Sequence, residues 1–224
     1  MDIYYLMFVL PAAIIALWAQ IKVKSTFAKY AEVYSQNGIT AYDATRRILD
    51  ANGLSDVSIE HVSGSLTDHY DPRARVIRLS DSVYSSMSVA SIGVAAHEAG
   101  HAIQHAKSYS PLAVRNAVYP VVNLSSQAAI PLIFIGFIIN SLNLVYVGII
   151  LFAAVVLFQL ITLPVEFNAS GRALKILGEY NILSAPELVG AKRVLTAAAL
   201  TYVASALVSA AHLLRFVLMA RRRK

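Results

Sequence analysis

The sequence predicts a mostly helical α+β integral membrane protein in which a small α+β domain lies beside a transmembrane hairpin. Hydrophobic residues make up 57% of the chain and charged residues only 14%, whereas about a quarter of an ordinary soluble domain is charged. Several apolar runs reach the length of about 20 residues that spans a bilayer. After the first run, a polar region alternates helical and strand patterns, which is typical of a compact α+β domain.

The charge distribution favours contact with a membrane surface over nucleic-acid binding. The net charge of +6 is concentrated after the first apolar run and at the extreme C-terminus, without interleaved aromatic residues. We therefore predict a lipid bilayer as a partner and no nucleic acid, and make no prediction of oligomeric state. The chain has no cysteine, so any bound metal must be held by His, Asp or Glu.

The first apolar run sets the predicted topology. Residues 3–21 contain no charged side chain, and Lys22, Lys24 and Lys29 follow directly. The positive-inside rule therefore places the N-terminus outside and residue 22 at the cytoplasmic face. A cleaved signal peptide is disfavoured, because the basic residues follow the run and no convincing cleavage site does.

Five segments are predicted along the chain. They are a transmembrane helix (1–21), a cytoplasmic segment (22–118), a transmembrane hairpin (119–164), a helix with a connector (165–193) and an apolar C-terminal helix with a basic tail (194–224). Pro164 is predicted to open the fourth segment's helix. Two topologies stay open for the last helix: it spans and places the basic tail outside, or it is tightly packed or re-entrant and keeps the tail cytoplasmic.

The cytoplasmic segment has helix and strand signals in a recognisable order. Thr40 to Asp43 resembles a capping box that opens a helix ending at Asn52-Gly53. Residues 57–62 and 75–79 are predicted strands, and a further helix runs from about Ser88 to about Lys107.

The helix predicted from Ser88 contains the pattern H-E-x-x-H. His97 and His101 are four residues apart and therefore lie on one helical face, with Glu98 beside them. Two imidazoles at this spacing can bind one tetrahedral Zn²⁺ and leave a position open for a hydrolytic reaction. The alternative interpretation is a helix with two surface histidines.

A hydrolytic zinc site needs a third protein ligand. Besides the carboxylates, the candidates are His61, His69, His105 and His212. Glu166 is favoured because it lies next to the predicted membrane hairpin, with small Ala169 and Ser170 one turn later that permit close helix packing. The alternative for Glu166 is a solvated acid at a helix start, and for His105 an interfacial residue or one that supports a zinc ligand.

Three separated blocks resemble the YugP-type membrane zinc metallopeptidases and, more distantly, the HtpX-like membrane proteases. They are VAAHEAGHAIQHA, TDHYDPRARVIRLSDSVY and TLPVEFNAS. The resemblance implies a zincin-like domain with a gluzincin-type site, in which His97, His101 and Glu166 bind zinc and Glu98 is the general base. HtpX-like proteins have E-x-x-A-D at the ligand glutamate, and Ser170 replaces that acid here, leaving a weaker hydroxyl contact.

The predicted function is that of a zinc metalloendopeptidase in the plasma membrane, with several spans and a cytoplasmic, juxtamembrane active site. It would hydrolyse peptide bonds of membrane or membrane-adjacent proteins through a zinc-activated water. The strand at 75–79 is a candidate for pairing with an extended substrate, and the alternative is that it is only an edge of the sheet. Candidates for stabilising the oxyanion are His69, Tyr202 and His212.

Two other functions remain as alternatives. In an intramembrane, site-2-like protease the zinc helix would lie inside the bilayer, but no span-length apolar run encloses the H-E-x-x-H motif. In a non-catalytic scaffold or adaptor, zinc would only stabilise the fold. Such a structural site needs no general base, so it would not explain Glu98.

Overall fold

The computed structural model describes residues 2–223, so Lys224 of the predicted basic tail lies outside the described residues. One π-helical turn, Tyr5–Val9, precedes the first α-helix. The helices are α1 (Leu10–Ala31), α2 (Ala41–Ala51), α3 (Val89–Ala106), α4 (Ser110–Ile138), α5 (Leu142–Glu179) and α6 (Ala185–Arg221), and the strands are β1 (Ser58–Val62), β2 (His69–Asp71) and β3 (Val76–Ser80). The predicted fold class, mostly helical α+β with membrane-spanning helices, is confirmed.

The chain forms two compact units. One comprises residues 2–20, 113–164 and 200–223, and is called the helical unit below; the other comprises residues 21–112 and 165–199, and is called the mixed unit. The helical unit contains the most apolar parts of the four helices that are long and apolar enough to cross a membrane. Large side chains such as Ile14, Leu124 and Ile138 are exposed there, as expected of a lipid-facing surface.

The sheet of the mixed unit has the order β1-β3-β2. β1 pairs with β3 in parallel and β2 pairs with β3 antiparallel. β3 is therefore the central strand, and the prediction that residues 75–79 pair with an extended substrate is wrong, because both edges of β3 already have partners. The short strand β2 has no clear alternating pattern in the sequence and was therefore not predicted. Without β2, β3 would lie at an edge of the sheet.

Helix α3 lies in the core of the mixed unit. Its N-cap is Ser88, whose side chain accepts a hydrogen bond from the Ser91 backbone N–H, and this satisfies one of the free donors at the helix start. Most of the helix is buried because small residues fill its faces. The predicted capping box of α2 is present in part: Thr40 Oγ1 accepts from the Asp43 N–H at 3.0 Å, but the Asp43 carboxylate accepts from the Thr40 hydroxyl rather than from its backbone N–H.

Helix α5 differs from the prediction at Pro164. The proline was expected to open a new helix, but it lies inside one uninterrupted helix, Leu142–Glu179. Proline removes only one N–H donor, and apolar helices of membrane proteins tolerate it where neighbouring groups satisfy the freed carbonyl. Glu166 therefore lies in the same helix as the preceding apolar segment.

The contacts within the helical unit place three chain segments at one end of it. Arg215 of α6 forms an ion pair with Asp2 at 2.6 Å. Arg223 donates hydrogen bonds to the Phe137 carbonyl at 2.7 Å and to the Asn140 side chain at 3.1 Å. The chain start, the α4–α5 turn and the end of α6 therefore lie together. Helix α6 is uninterrupted from Ala185 to Arg221, and both topologies of this segment stay predictions.

We expect single cysteines at both sides of this unit to report the arrangement. The chain has no native cysteine, so Asn143→Cys and Arg222→Cys should react with a membrane-impermeant maleimide from the same side of the membrane. Gln20→Cys, an exposed position of α1 at the far limit of the helical unit, is the control and should react only from the opposite side. Protection of Arg222→Cys under conditions that label Asn143→Cys would contradict the arrangement.

Helices α3 and α5 approach each other closely at Gly100. A Cβ atom at this position would lie 2.6 Å from the Ala169 carbonyl oxygen and 3.2 Å from its carbonyl carbon. Real Cβ atoms do not approach backbone this closely, so only glycine permits the contact. Gly100 lies between the two histidines of the H-E-x-x-H pattern, and Ala169 is one turn after Glu166.

We expect Gly100→Ala to destabilise the protein by about 1 to 3 kcal/mol, the usual cost of forcing an extra methyl group into a packed contact. Gly171→Ala is the matched control, because a Cβ there meets nothing within 4 Å and alanine favours the helix by about 0.5 to 1 kcal/mol. Thermal unfolding of the full chain in detergent, followed by circular dichroism, measures both. Equal stability of the two variants would contradict the close approach.

Candidate metal centre

Three side chains from α3 and α5 converge in the mixed unit. The Glu166 Oε2 atom lies 3.3 Å from His97 Nε2 and 3.6 Å from His101 Nε2. One possible ligand atom from each of the three residues lies within 4.8 Å of the others. These residues could therefore hold one metal ion between the two helices.

The spacing along α3 creates the histidine half of the cluster. His97 and His101 are one helical turn apart, and their ring centroids are 4.7 Å apart with planes at 84°. Both Nε2 atoms consequently face the same carboxylate. Glu166 is only 4% exposed, so its charge is held away from water and depends on positive or polar partners.

Each histidine is held by a hydrogen bond at its other ring nitrogen. His97 Nδ1 lies 3.0 Å from the Ser170 hydroxyl, and His101 Nδ1 lies 3.0 Å from the Gln104 side-chain oxygen. Such contacts orient zinc-binding imidazoles and leave Nε2 for the metal. Two imidazoles and one carboxylate are also the donor set of hydrolytic zinc sites. The cluster therefore fits zinc.

The electrostatics of the cluster are those of a site that attracts a cation. Burial opposes the positive charge of His101, but the hydrogen bond with Glu166 and the negative charges of Glu98 and Glu166 outweigh it and raise the pKa of His101. The carboxylates thus stabilise positive charge at this point of the molecule. A metal ion binding here would replace the proton on His101.

Two further predicted residues lie on α3 near the cluster. Glu98 directly follows His97, is 8% exposed, and is close enough for its charge to act on His101. His105 is one turn beyond His101, and its Nδ1 lies 2.9 Å from the Tyr70 hydroxyl of β2. His105 is not part of the metal-ligand cluster, so the structure brings it into a contact between α3 and the sheet.

The remaining candidates have other surroundings. Tyr202 and His212 belong to the helical unit, where Tyr202 is 41% exposed and the His212 ring stacks on Phe216. In the mixed unit, His61 pairs with Asp81 at 2.7 Å, and His69 Nδ1 lies 2.9 Å from the Thr67 carbonyl. An oxyanion role for Tyr202, His212 or His69 stays a prediction.

Sequence reasoning missed the polar residues that surround the ligands. Gln104 contacts His101, Asn168 contacts Gln104, and Arg172 contacts Asn168. A signal was available: Gln104 follows His101 by three residues, so both lie on one helical face, and Asn168 and Arg172 are similarly spaced after Glu166.

Comparison with known proteins agrees with this site. A family model described as "Putative neutral zinc metallopeptidase" matches residues 5–221. The chain is 55% identical over 206 residues to the "Putative membrane protease YugP" of Bacillus subtilis (strain 168), covering 92% of this chain and 91% of the relative. No solved structure matches the chain. The resemblance drawn from the three sequence blocks is thus confirmed, and the chain belongs to the family described as "Putative neutral zinc metallopeptidase".

Proposed function

We propose that the protein is a membrane-anchored zinc endopeptidase that cleaves membrane or membrane-adjacent proteins. The observation that supports this most is the convergence of His97, His101 and Glu166, with ligand atoms within 4.8 Å of one another, next to the carboxylate of Glu98. Membership of a zinc metallopeptidase family and similarity to a relative named as a membrane protease support the protease role.

In the proposed site, the Nε2 atoms of His97 and His101 and the carboxylate of Glu166 bind zinc in a gluzincin-type arrangement. Zinc would polarise the carbonyl of the scissile peptide and lower the pKa of a water in its open position towards about 7. Ser170 and Gln104 hold the two imidazoles in the orientation that this binding requires.

Glu98 is the proposed general base. It takes a proton from the water whose oxygen forms the new bond to the peptide carbonyl carbon. When the C–N bond breaks, Glu98 delivers this proton to the leaving nitrogen, so that one carboxylate serves both steps. Two observations support this role: Glu98 directly follows His97, and only 8% of its surface is exposed. A bound substrate and one water would shield this small exposed part from bulk solvent.

The two alternative functions are less well supported. A scaffold that uses zinc only for stability does not account for Glu98, a carboxylate held beside the ligands but outside the ligand cluster. An intramembrane protease needs its zinc helix inside the bilayer, yet α3 is not among the four described helices that are long and apolar enough to cross one.

We further propose that the protein resides in the plasma membrane with the active site on the cytoplasmic side. Lys22, Lys24 and Lys29 at the end of α1 support this orientation, since the basic flank of the first span usually stays inside. The end of α6 would then lie outside despite its arginines. One of the arginines of α6, Arg215, is neutralised by Asp2, which lowers its effect on the orientation.

We expect Glu98→Gln to retain zinc but to lower kcat/KM by about 10²- to 10⁴-fold, the usual contribution of a general base. Glu166→Ala should lose both zinc and activity, because it removes a ligand. Zinc content by atomic absorption and cleavage of a labelled unfolded protein, both on full-length protein in detergent, measure these effects.

Glu179→Gln is the matched control for Glu98→Gln, and Glu179→Ala is the matched control for Glu166→Ala. Glu179 is an exposed residue of α5 that pairs only with Lys175 at 3.6 Å among the described ion pairs, so zinc content and activity of both controls should equal those of the wild type. Undiminished cleavage by Glu98→Gln would refute the proposed mechanism. A wild type that binds zinc and cleaves no polypeptide would favour the scaffold.

A further inference from the structure

Gln104 is a fully buried polar residue on the metal-binding helix, with 0% of its surface exposed. Its side-chain oxygen lies 3.0 Å from His101 Nδ1. Its side-chain nitrogen donates to the Val165 carbonyl at 2.8 Å and to the Asn168 side-chain oxygen at 3.0 Å. The amide therefore connects a proposed zinc ligand on α3 to the turn of α5 that contains Glu166.

The contact with Val165 fixes the orientation of this amide. A backbone carbonyl can only accept hydrogen bonds, so the Gln104 nitrogen must face Val165 and the oxygen must face His101. An oxygen can only accept there, so His101 Nδ1 carries the proton. With Nδ1 protonated, Nε2 is the ring nitrogen of His101 that can offer a lone pair to a metal ion, and it faces the Glu166 carboxylate at 3.6 Å.

The orientation of Asn168 is fixed from the other side. Arg172 Nε donates to the Asn168 side-chain oxygen at 2.7 Å, and a guanidinium has no acceptor. The same oxygen is therefore available to the second N–H of Gln104. Both donors and the acceptor of the Gln104 amide are used, and none of these contacts can be reversed without leaving a buried group unsatisfied, at a cost of about 1 to 3 kcal/mol.

His97 has no comparable constraint. Its Nδ1 lies 3.0 Å from the hydroxyl of Ser170, which can donate or accept and therefore permits either tautomer of the ring. The two histidines of the H-E-x-x-H pattern are thus held differently. Only the tautomer of His101 is dictated by its surroundings.

We propose that Gln104 is a positioning residue for the metal site, which sets the tautomer of His101 and fixes this ring relative to the α5 turn that presents Glu166. The proposal rests on the proposed zinc site. It predicts that removing the Gln104 amide weakens zinc binding even though Gln104 is not itself a ligand.

Zinc affinity of the full-length protein in detergent, measured by competition with a chromophoric chelator, tests this. Gln104→Leu, similar in size but without polar atoms, should lower the affinity by about 10- to 100-fold, as loss of a ligand's hydrogen-bond partner typically does. Gln104→Glu keeps an oxygen facing His101 Nδ1 and should lose less affinity than Gln104→Leu. In the Co²⁺-substituted proteins, the visible spectrum of Gln104→Leu should differ more from that of the wild type than the spectrum of Gln104→Glu does.

Ser91→Ala is the matched structural control. Ser91 is also fully buried on α3 and forms hydrogen bonds with Ser88 and with the Ser82 carbonyl. This variant should be destabilised without any change in zinc affinity. If Gln104 acted only in packing, Gln104→Glu would lower zinc affinity more than Gln104→Leu does, because it places a carboxylate against two acceptor oxygens.

The outcomes separate this inference from the proposed function. A wild type that does not bind zinc would overturn both. A zinc-binding wild type with Gln104→Leu within about twofold of its affinity, or with Gln104→Glu weaker than Gln104→Leu, would overturn the role of Gln104 only. If the variants do not fold, ¹⁵N spectra of histidine-labelled, zinc-loaded wild type decide: a protonated Nδ1 on His101 is expected, and coordination of zinc through that atom would overturn the inference.

Discussion

The contact between α3 and α5 at Gly100 is the constraint on which the site depends. Because a Cβ would come within 2.6 Å of the Ala169 carbonyl oxygen, the two helix backbones can touch only where the side chain is a hydrogen atom. The ligand residues flank this contact on both helices: His97 and His101 on α3, and Glu166 on α5. Backbone packing therefore brings the imidazoles and the carboxylate together.

The close approach also buries charge, and the surrounding side chains compensate for it. Glu166 is 4% exposed and faces two imidazoles, a combination that suits a divalent cation better than an apolar core. Gln104 and Ser170 then occupy the outer nitrogens of those imidazoles. The same contacts thus satisfy buried polar groups and orient the ligands, which links the stability of the mixed unit to its chemistry.

The parts of this arrangement that depend on local sequence were predictable, and those that depend on long-range pairing were not. The spacing of His97 and His101 fixed the ligand face of α3, and the capping residue Ser88 fixed its start. The central position of β3 depends on β2, a three-residue strand without a period-2 pattern. Helix α5 continues through Pro164 because its surroundings tolerate the proline. The local preferences of proline do not predict this continuity. The spacing of Gln104 after His101 places both on one helical face, but the hydrogen bond from Gln104 to the Val165 carbonyl depends on the packing of α5 against α3, which the local sequence does not show.

X-ray absorption at the zinc edge of the purified wild type tests the central claim most directly, that helix packing builds one centre from two imidazoles and one carboxylate. The account predicts one zinc per chain with two imidazole nitrogens at about 2.0 to 2.1 Å and carboxylate oxygen at about 2.0 to 2.2 Å. A coordination shell with three or more imidazoles, or with a single one, would contradict it, since His97 and His101 would then not share a metal with Glu166.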